Sequence, residues 1–376
     1  MNVLSLVHLR NIDRSTGAGR VARQLTEHLA LREGLNLHVL ADAGDHRKIV
    51  SKVGSPWTLF PYHLFADDTS RQQARWLLTH SPSAEHYWPE AQIVHCTMES
   101  FVPPTRRCRL VATVHDAAYF EREAHSPGWS TFRQRLKWRF LYATLSRKAD
   151  LFHTVSNFSA ERLADFVPAI RSRIRVVHNA ASARFFKPVS ADGEDYLERA
   201  GLRNVPFVLV PSGLCFRKNA ALILEAWPIL RERFPELLLV VVGHSEPGFA
   251  ARARTVESIK QLGFADDEAL CSLYHACEVV WYPSRYEGFG IPVLEAMACG
   301  APVVATPVPS LVECVPQAAE LVPVRSPEKL AAVLADLFQD DERRLDLAER
   351  GLSAVSRLSW DDTAAGTVGV YRSLGI

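Results

Sequence analysis

Residues 284–306, SRYEGFGIPVLEAMACGAPVVAT, carry the pattern that decides the fold. The run VVWYPS that leads into them is short and apolar, with β-branched and aromatic members, which is typical of a buried strand. Gly288 and Gly290 then allow a tight turn, and Pro292 suits the first position of a helix. The stretch therefore predicts a strand, a helix and a second strand, at residues 279–282, 292–299 and 302–305.

Two glutamates flank this predicted turn. Glu287 falls at the carboxyl end of the strand and Glu295 in the first turns of the helix, and ligands bind at that end of an open parallel sheet. The backbone N–H groups of Phe289, Gly290 and Ile291 lie at a helix N-terminus, which suits an anion or a hydroxyl-rich ligand. The alternative is an ordinary strand–turn–helix connection with two solvated glutamates.

Short apolar runs alternate with helical patterns along the whole chain, which predicts parallel α/β sheets. Its 376 residues are too many for one ordinary core, so we expect two domains, each Rossmann-like, facing a cleft. A segment with two prolines, two glycines and no strand pattern, 188–206, marks the boundary. The predicted strands are 3–9, 35–40, 93–95, 110–114, 151–155 and 175–177 in the first half, and 207–210, 237–242, 256–259, 279–282 and 302–305 in the second.

Composition limits the class of protein. Hydrophobic residues make up 48% and charged residues 23%, as in ordinary globular chains, and no apolar run reaches the ~18–20 residues of a membrane helix. The start, MNVLSLVHLRN, resembles a first strand more than a signal peptide. Seven scattered cysteines favour a reducing, cytoplasmic compartment. Cys271 and Cys277 form the closest pair and match no common zinc spacing, so we expect no metal site.

Charge is divided unevenly between the two halves. Residues 1–188 hold 26 Lys and Arg against 16 Asp and Glu, a net +10, whereas residues 189–376 hold 17 against 26, a net −9. The halves therefore differ as two surfaces with different partners would. No basic cluster is interleaved with aromatic residues as in RNA-binding motifs, so nucleic acid is not an expected partner.

Two candidate contacts lie in the first half. Gly17 and Gly19 precede a predicted helix and can cradle a phosphate or admit a sugar, although the spacing does not complete GxGxxG and a plain tight turn fits equally. His115 follows the predicted strand 110–114, where an imidazole can donate to a substrate hydroxyl or move a proton. A structural, hydrogen-bonded histidine is the alternative.

In the second half, Arg217 and Lys218 precede a helix patterned by Leu222, Ile223, Ala226 and Ile229. Two cations at a helix N-terminus oppose the usual dipole preference for acids. A docked anion offsets that arrangement, and a diphosphate suits two cations. A solvated Arg–Lys pair remains the alternative.

The stretch YEGFGIPVLEAMACGAPVVAT closely resembles the E-x7-E signature of the retaining GT-B glycosyltransferases of family 4. The likeness extends over nearly the whole chain, through TGAGR, TVHDAAY, ADLFHTVSNFSAERL, VVHNAASARFF, FRKN, IKQLGFADDEALCSLYHACEVVWYPS and LSWDDTAAGTVGVYRSL. Two departures are visible. Many members carry an arginine several residues before the lysine, where this chain has Ser212, Gly213 and Leu214, and Gly17 and Gly19 do not form the double glycine of some members.

The resemblance implies a role for each site residue. Glu295 would hold the ribose hydroxyls of the donor, Glu287 the transferred sugar, and Lys218 the diphosphate. The other implied contacts are Arg217 at the diphosphate, backbone groups of Phe289, Gly290 and Ile291 at sugar and phosphate, Gly263 and Phe264 at the base, Gly17 and Gly19 in the donor-side loop, and His115 at the reaction centre. A closing helix would return to the first domain, giving domains of 1–187 plus 358–376 and 188–357.

The resemblance also implies the chemistry. Such an enzyme would transfer a hexose with retention, with no cofactor besides its nucleotide-sugar donor and no metal at the diphosphate. FRKN after a short SGL most resembles mannosyltransferases of polysaccharide and O-antigen assembly, so GDP-mannose is the preferred donor. The acceptor would be a saccharide or a polyprenol-diphosphate-linked saccharide.

The stretch FRQRLKWRFLYATLSRK, residues 132–148, has six cations and no acid. Phe132, Leu136, Phe140 and Ala143 recur at helical spacing, and Trp138, Leu141 and Leu145 form a second row. This is the pattern of a basic amphipathic helix on an anionic membrane, here the inner leaflet. An ordinary helix with a solvated basic face would show it too.

Three other functions fit part of the sequence. A glycoside hydrolase also pairs two carboxylates but leaves the Arg–Lys helix start unexplained. A sugar-nucleotide epimerase shares the fold, although the E-x7-E spacing and the closing SWDDTA…YRSL helix count against it. A module that only binds nucleotide sugar would keep Glu295 and Lys218 without turnover.

Overall fold

A computed structural model describes residues 1–13, 16–66, 68–99, 102–126, 128–323 and 326–376. The chain forms two compact units. Unit 1 comprises Met1–Phe120, Gly128–Asn179 and Ser359–Ile376, and unit 2 comprises Ala180–Leu358 with a short segment that precedes Gly128. Each unit is a parallel-sheet α/β domain. Within the described residues no helix is both long and apolar enough to span a bilayer.

Unit 1 is built on a seven-stranded parallel sheet in the order β3-β2-β1-β4-β5-β6-β7. Its two central strands, Asn2–Leu6 and Ile93–Cys96, are mostly apolar and almost wholly buried on both faces, as expected where helices cover both sides of a parallel sheet. The strands are β1 (Asn2–Leu6), β2 (Asn36–Asp42), β3 (Tyr62–Phe65), β4 (Ile93–Cys96), β5 (Arg109–Val114), β6 (Leu151–Thr154) and β7 (Ile174–Val176).

Unit 2 is built on a six-stranded parallel sheet in the order β10-β9-β8-β11-β12-β13. Trp227 and Trp281, both fully buried, lie in its core between sheet and helices. The strands are β8 (Phe207–Val210), β9 (Leu238–Val242), β10 (Ile259–Gly263), β11 (Val279–Tyr282), β12 (Val303–Ala305) and β13 (Glu320–Leu321).

The helices connect and cover these strands. In the described ranges, seven precede Ala180: α1 (Leu9–Asp13), α2 (Gly17–Ala30), α3 (Ala43–Val53), α4 (Thr69–Thr79), α5 (Ala84–Tyr87), α6 (Trp129–Lys148) and α7 (Asn157–Phe166). The others are α8 (Ala191–Arg199), α9 (Ala220–Arg233), α10 (Pro247–Arg254), α11 (Asp267–Ala276), α12 (Ile291–Ala298), α13 (Pro309–Cys314), α14 (Pro327–Gln339), α15 (Asp341–Val355) and α16 (Trp360–Arg372). Short 3-10 turns span Trp57–Leu59, Ala118–Phe120, Pro168–Arg173 and Ala183–Phe186.

The C-terminal helix α16 lies in unit 1, where it packs against α2 and β6. The hydroxyl of Tyr371 lies 2.6 Å from Nδ1 of His95 in β4, and both side chains are fully buried. Thr363 donates a hydrogen bond to the carbonyl of His178. The units divide between Asn179 and Ala180, eight residues before the predicted boundary of 187/188, because the short turn Ala183–Phe186 packs with helices of unit 2.

Two predicted strands had wrong boundaries, and two strands were missed. The first predicted strand, 3–9, ends at Leu6, and Leu9 begins helix α1. The prediction at 256–259 corresponds to β10 at Ile259–Gly263, whose polar sequence IKQLG hides the strand pattern. Two edge strands, β3 and β13, were missed because β3 leaves Leu64 exposed and β13 has two residues.

Candidate active site

Strands β8 and β11 lie side by side at the centre of the unit 2 sheet. The chain leaves β8 toward β9 on one side of the sheet and leaves β11 toward β12 on the other. This reversal is the topological switch point at which open α/β sheets bind ligands. The loops that follow β8 and β11 therefore meet, and they carry Lys218 and Glu287.

Lys218 is placed by a tight turn before α9. The amide of Lys218 donates to the carbonyl of Cys215, and the amide of Asn219 donates to the carbonyl of Phe216. Asn219 then caps the helix in the left-handed conformation, with φ of 59°. The turn directs the Lys218 side chain into the protein, where only 8% of it is exposed.

The Nζ of Lys218 lies 2.6 Å from Oε1 of Glu287 and 2.6 Å from the hydroxyl of Tyr282. Arg217 adds a longer contact, with a guanidinium nitrogen 3.5 Å from Oε2 of Glu287. Only 6% of the Glu287 side chain is exposed, whereas 34% of Arg217 is exposed. The structure therefore brings together the predicted diphosphate and sugar contacts, in an ion pair that the sequence did not predict.

The pair is held charged against its burial. Burial works to raise the pKa of Glu287, but the neighbouring Lys218 and Arg217 outweigh it and leave that pKa below its ordinary value. Burial also lowers the pKa of Lys218, although the Glu287 carboxylate works to raise it. A buried pair of this kind needs both partners, because an unpaired charge in the same place is strongly destabilising.

Two glycines of these loops accept no side chain. Gly213 has φ of 71°, and a Cβ there would lie 1.9 Å from the carbonyl oxygen of His244. Gly290 has φ of 102°, and a Cβ there would lie 2.3 Å from Cδ2 of Leu311. Many members of the family that the sequence resembles carry an arginine at this place. Here the place is occupied by a turn at Gly213, whose backbone packs against His244 in the loop after β9.

Glu295 lies in the second turn of α12 and is 1% exposed. The helix begins at Ile291, directly after Gly290, so the predicted helix start of 292 was one residue late. Phe289 and Ile291 are buried beside the same turn. A buried carboxylate on this helix is not the solvated glutamate of the alternative reading.

A pocket of about 570 Å³ runs along the edge strand β10, from the residues before this strand to Gly263 and Phe264 at its carboxyl end. Gly263 turns the chain with φ of 71°, and Phe264 stands beside it with 66% of its surface exposed. The lining residues are Gly243, His244, Ser245, Arg254, Val256, Glu257, Ile259, Gln261, Gly263 and Phe264. An exposed aromatic face next to a polar pocket suits a nucleobase, which stacks and hydrogen-bonds at once.

In unit 1, the matching switch point lies between β1 and β4. His115 follows β5, and its Nε2 lies 2.9 Å from the carbonyl of Thr97, so Nε2 carries the proton and Nδ1 is the acceptor. Burial lowers the pKa of His115, which keeps the imidazole neutral. The predicted histidine is therefore hydrogen-bonded as the structural alternative expects, with one ring nitrogen left as an acceptor.

Gly17 and Gly19 differ in their surroundings. A Cβ at Gly19 would lie 1.9 Å from the carbonyl oxygen of Asn11, whereas no atom of the described residues lies within 4 Å of a Cβ at Gly17. Thr16 caps α2 by accepting from the amide of Gly19 at 3.1 Å. Gly19 is thus explained by the packing of α2 on α1, and Gly17 is open to a ligand.

Two residues of these sites were missed from the sequence. Tyr282 ends β11 and was counted only as an apolar strand residue, although its hydroxyl accepts from Lys218. Glu99 follows β4, and its carboxyl accepts from the amide of His115 at 3.4 Å. Burial, with the nearby Asp116 carboxylate, raises the pKa of Glu99 to about 8. The sequence signal that could have identified Glu99 is its place after the carboxyl end of the predicted strand 93–95.

Both units of the chain match sequence models of known protein families. Residues 15–184 match the family model described as Glycosyltransferase Family 4, and residues 197–353 match that of Glycosyl transferases group 1. The O-antigen chain mannosyltransferase B of Escherichia coli is 31% identical over 282 residues, 73% of each chain. The protein belongs to glycosyltransferase family 4.

Other relatives of this glycosyltransferase have different activities. The D-inositol 3-phosphate glycosyltransferase of Corynebacterium urealyticum is 28% identical over 307 residues, which is 77% of this chain and 70% of the relative. Anabaena Alr3699/HepE, solved in complex with UDP and glucose, shares the fold with a TM-score of 0.72, 18% identity and coverage of 99% of this chain and 100% of its own. The glycosyltransferase thus has the expected GT-B fold.

Proposed function

We propose that this hexosyltransferase transfers mannose from GDP-mannose to a saccharide acceptor, with retention of the anomeric configuration. The observation that carries the proposal is the Lys218–Glu287 pair at the switch point of the unit 2 sheet. It offers a cation for a diphosphate and a carboxylate for sugar hydroxyls within one buried cluster. A glycoside hydrolase requires no buried lysine beside its carboxylate, and turnover of a nucleotide sugar separates the transferase from a module that only binds one.

Lys218 has the role of stabilising the leaving group. Its ammonium has three protons, of which one is directed to Tyr282 and one to Glu287. The third is available for an oxygen of the donor diphosphate, where negative charge grows as the glycosidic bond breaks. A charge that is already positioned, in a site shielded from water, stabilises such a developing anion most effectively.

Glu287 and Glu295 have different roles in the proposal. Glu287 binds hydroxyls of the transferred sugar, and Glu295 binds those of the ribose. Because Glu287 is held ionised by two cations, it accepts hydrogen bonds and does not act as a proton donor. The acceptor attacks from the face that the diphosphate leaves, so no carboxylate forms a bond to the sugar. The anomeric configuration of the product, read by NMR, tests retention directly.

The exposed ring of Phe264 beside Gly263 supports the carboxyl end of β10 as the base site. A nucleobase would stack on that ring, and stacking on an aromatic side chain contributes about 1–3 kcal/mol per base. We expect Phe264→Ala to weaken GDP binding by about tenfold. Glu257 precedes β10 at the other end of the pocket, so Glu257→Gln is a control that should leave GDP binding unchanged. GDP binding that is unaffected in Phe264→Ala would remove the base assignment and leave the transferase proposal intact.

The donor sugar is supported by the Escherichia coli relative, whose name states mannose transfer. A panel of GDP-mannose, UDP-glucose, UDP-galactose and UDP-N-acetylglucosamine should be tested for protection against thermal unfolding and for turnover. A ligand that binds only the folded state raises the melting temperature by mass action. GDP-mannose should give the largest shift. A larger shift and faster turnover with a UDP-sugar would refute the donor assignment.

Helix α6 supports a lipid-linked acceptor at a membrane surface. Its second apolar row packs inward, with Leu141 and Leu145 buried, but its first row remains outside. Phe132, Leu136 and Phe140 are 55%, 61% and 54% exposed and stand four residues apart on one face. The exposed row lies among exposed cations, Arg133, Lys137 and Arg139. Apolar and cationic side chains on one surface suit the anionic interface of the inner leaflet.

Vesicle sedimentation separates the apolar and the electrostatic contributions of α6 to membrane binding. The protein should sediment with anionic vesicles at low salt and lose binding as salt rises, since each cation near the surface contributes about 1 kcal/mol. Replacing Phe132, Leu136 and Phe140 by serine should weaken binding without changing its salt dependence. Replacing Arg133, Lys137 and Arg139 by glutamate should abolish it. Binding unaffected by both triple variants would refute the membrane surface.

A further inference from the structure

Three side chains that bind soft metal ions meet where α11 packs against the end of α12 in unit 2. Cys271 and His275 stand four residues apart on one face of α11, and Cys299 follows the last residue of α12. The Sγ of Cys271 lies 3.5 Å from Nδ1 of His275 and 3.8 Å from Sγ of Cys299. All three ligand atoms lie within 4.8 Å of one another.

These distances match the edges of a tetrahedral zinc site. With Zn–S bonds of about 2.3 Å and Zn–N bonds of about 2.0–2.1 Å, two sulfurs stand roughly 3.8 Å apart and a sulfur and a nitrogen roughly 3.5 Å apart. The two contacts made by Cys271 already have these lengths. The remaining pair, Cys299 and His275, is at most 4.8 Å apart and closes by a small movement of the exposed imidazole.

Burial favours an ion that enters from the surface. Cys271 is 0% exposed and Cys299 8% exposed, while His275 lies on the exposed side of α11. The two thiols are thus shielded from solvent, and the imidazole lies at the protein surface. In the ligand-free chain Nδ1 of His275 lies 2.9 Å from the carbonyl of Cys271, and Cys299 donates to the carbonyl of Phe185 at 3.2 Å. Bonds to the ion would replace these two hydrogen bonds, which a small rotation of each side chain releases.

We propose that Cys271, His275 and Cys299 bind one Zn²⁺ ion, with water in the fourth position. Two thiolates and an imidazole are a ligand set that zinc prefers, and the two displaced thiol protons pass to solvent. The expectation of no metal rested on the pair Cys271 and Cys277. Cys277 lies outside the cluster, and the third ligand comes from a helix that sequence spacing does not connect to α11.

The ion would fasten α11 to the helix that presents Glu295. The amide of Cys299 donates to the carbonyl of Glu295 at 3.1 Å, so the two residues are one helical turn apart. A zinc bridge at Cys299 therefore restrains the C-terminal end of α12. The inference does not depend on the proposed donor or on the transfer reaction.

Metal uptake by the full chain tests the site. The protein is reduced, freed of metal with a chelator and titrated with Zn²⁺ against a chromophoric competitor, and with Co²⁺ for its spectrum. We expect one equivalent of tight binding, and cobalt bands typical of tetrahedral thiolate coordination. Cys271→Ser and Cys299→Ser should abolish that binding, and His275→Gln should weaken it at least tenfold.

Two thiols outside the cluster give matched controls. Cys277→Ser and Cys314→Ser should bind zinc as the parent does, and zinc should raise the melting temperature of the parent and of both controls but not of Cys299→Ser. Circular dichroism establishes that each variant is folded before titration. The site is refuted if the parent takes up no zinc, if the controls lose uptake as the cluster variants do, or if Cys271 and Cys299 form a disulfide in the presence of zinc.

Discussion

The ammonium of Lys218 and the carboxylate of Glu287 lie 2.6 Å apart in the interior of unit 2, although 69 residues separate them in the chain. The contact exists because β8 and β11 are neighbours, so the loops after them share one edge of the sheet. Each side chain would be costly to bury alone. The pair therefore holds the two loops together and, in the proposed function, presents charged groups to the donor.

Loss of Lys218 should affect catalysis more than loss of any other cation of the site. Lys218→Ala is expected to lower kcat/KM by about 10²-fold or more, because it removes a preorganised charge at the leaving group. Arg217→Ala should cost less, since its contact to Glu287 is longer and more exposed. Steady-state kinetics measure both, with Lys329→Ala as an exposed-lysine control in the same unit. Tight binding of GDP by Lys218→Ala would place the diphosphate elsewhere.

The two glutamates should differ in the kinetic constant that they change. Glu295→Ala should mainly raise KM for the donor, because ribose contacts are made equally in the ground state and the transition state. Glu287→Ala should mainly lower kcat, because the sugar that it orients is the reacting group. Donor titrations at saturating acceptor separate the two effects. Small and equal changes from both substitutions would contradict the assignment.

The two glycines in the first turn of α2 form a matched pair. Gly19→Ala should lower the free energy of unfolding by about 1–3 kcal/mol, because its Cβ would collide with the carbonyl of Asn11. Gly17→Ala meets no atom within 4 Å in the part of the chain that the structure describes, and should leave stability unchanged or slightly higher. Urea denaturation compares them. If Gly17 admits the donor, Gly17→Ala loses activity while remaining stable, and full activity would exclude that contact.

Unit 1 should lose stability in mild acid. Burial lowers the pKa values of His8, His95, His115 and His153 below 6.5, the ordinary value that applies in the unfolded chain. Their contribution to stability is complete above that pKa and falls as the pH drops below it, because the unfolded state then binds more protons. Glu99 has the opposite sign, since its raised pKa favours folding as the pH falls.

Burial also lowers the pKa values of the less buried His38 and His63, which act in the same direction. The histidines together outweigh one carboxyl, so the free energy of unfolding should fall between about pH 6.5 and pH 5, by about 1.4 kcal/mol per pH unit for each uncompensated histidine. Urea denaturation at several pH values measures the slope. His153→Leu removes one titrating group and should make the slope shallower by about that amount. An unchanged slope in this variant would mean that His153 titrates normally in the folded protein.

Local patterns predicted the strand–turn–helix at Glu287 and the helix after Lys218, because turn glycines and apolar runs act over a few residues. They did not predict the contact between them, which depends on the order of strands in the sheet. They also misplaced Ile229, which was counted with the buried face of α9 but is 37% exposed, because Trp227 and Leu230 take the inward positions of that turn. Both apolar rows of α6 were visible in the sequence. Which row packs inward depends on contacts with other parts of the chain, such as Tyr119, whose ring stacks on that of Trp138 with a centroid distance of 3.9 Å.

The place of α16 has a consequence for synthesis on the ribosome. The residues that bring Tyr371 against His95 are translated after all of Ala180–Leu358. Unit 1, whose strands emerge first, therefore cannot complete its core until Ser359–Ile376 has been made, whereas unit 2 has all of its segments earlier. The nascent protein must keep the surfaces of α2 and β6 that α16 covers soluble during that interval. Removing α16 should thus destabilise unit 1, most of which is far away in sequence, before it affects unit 2.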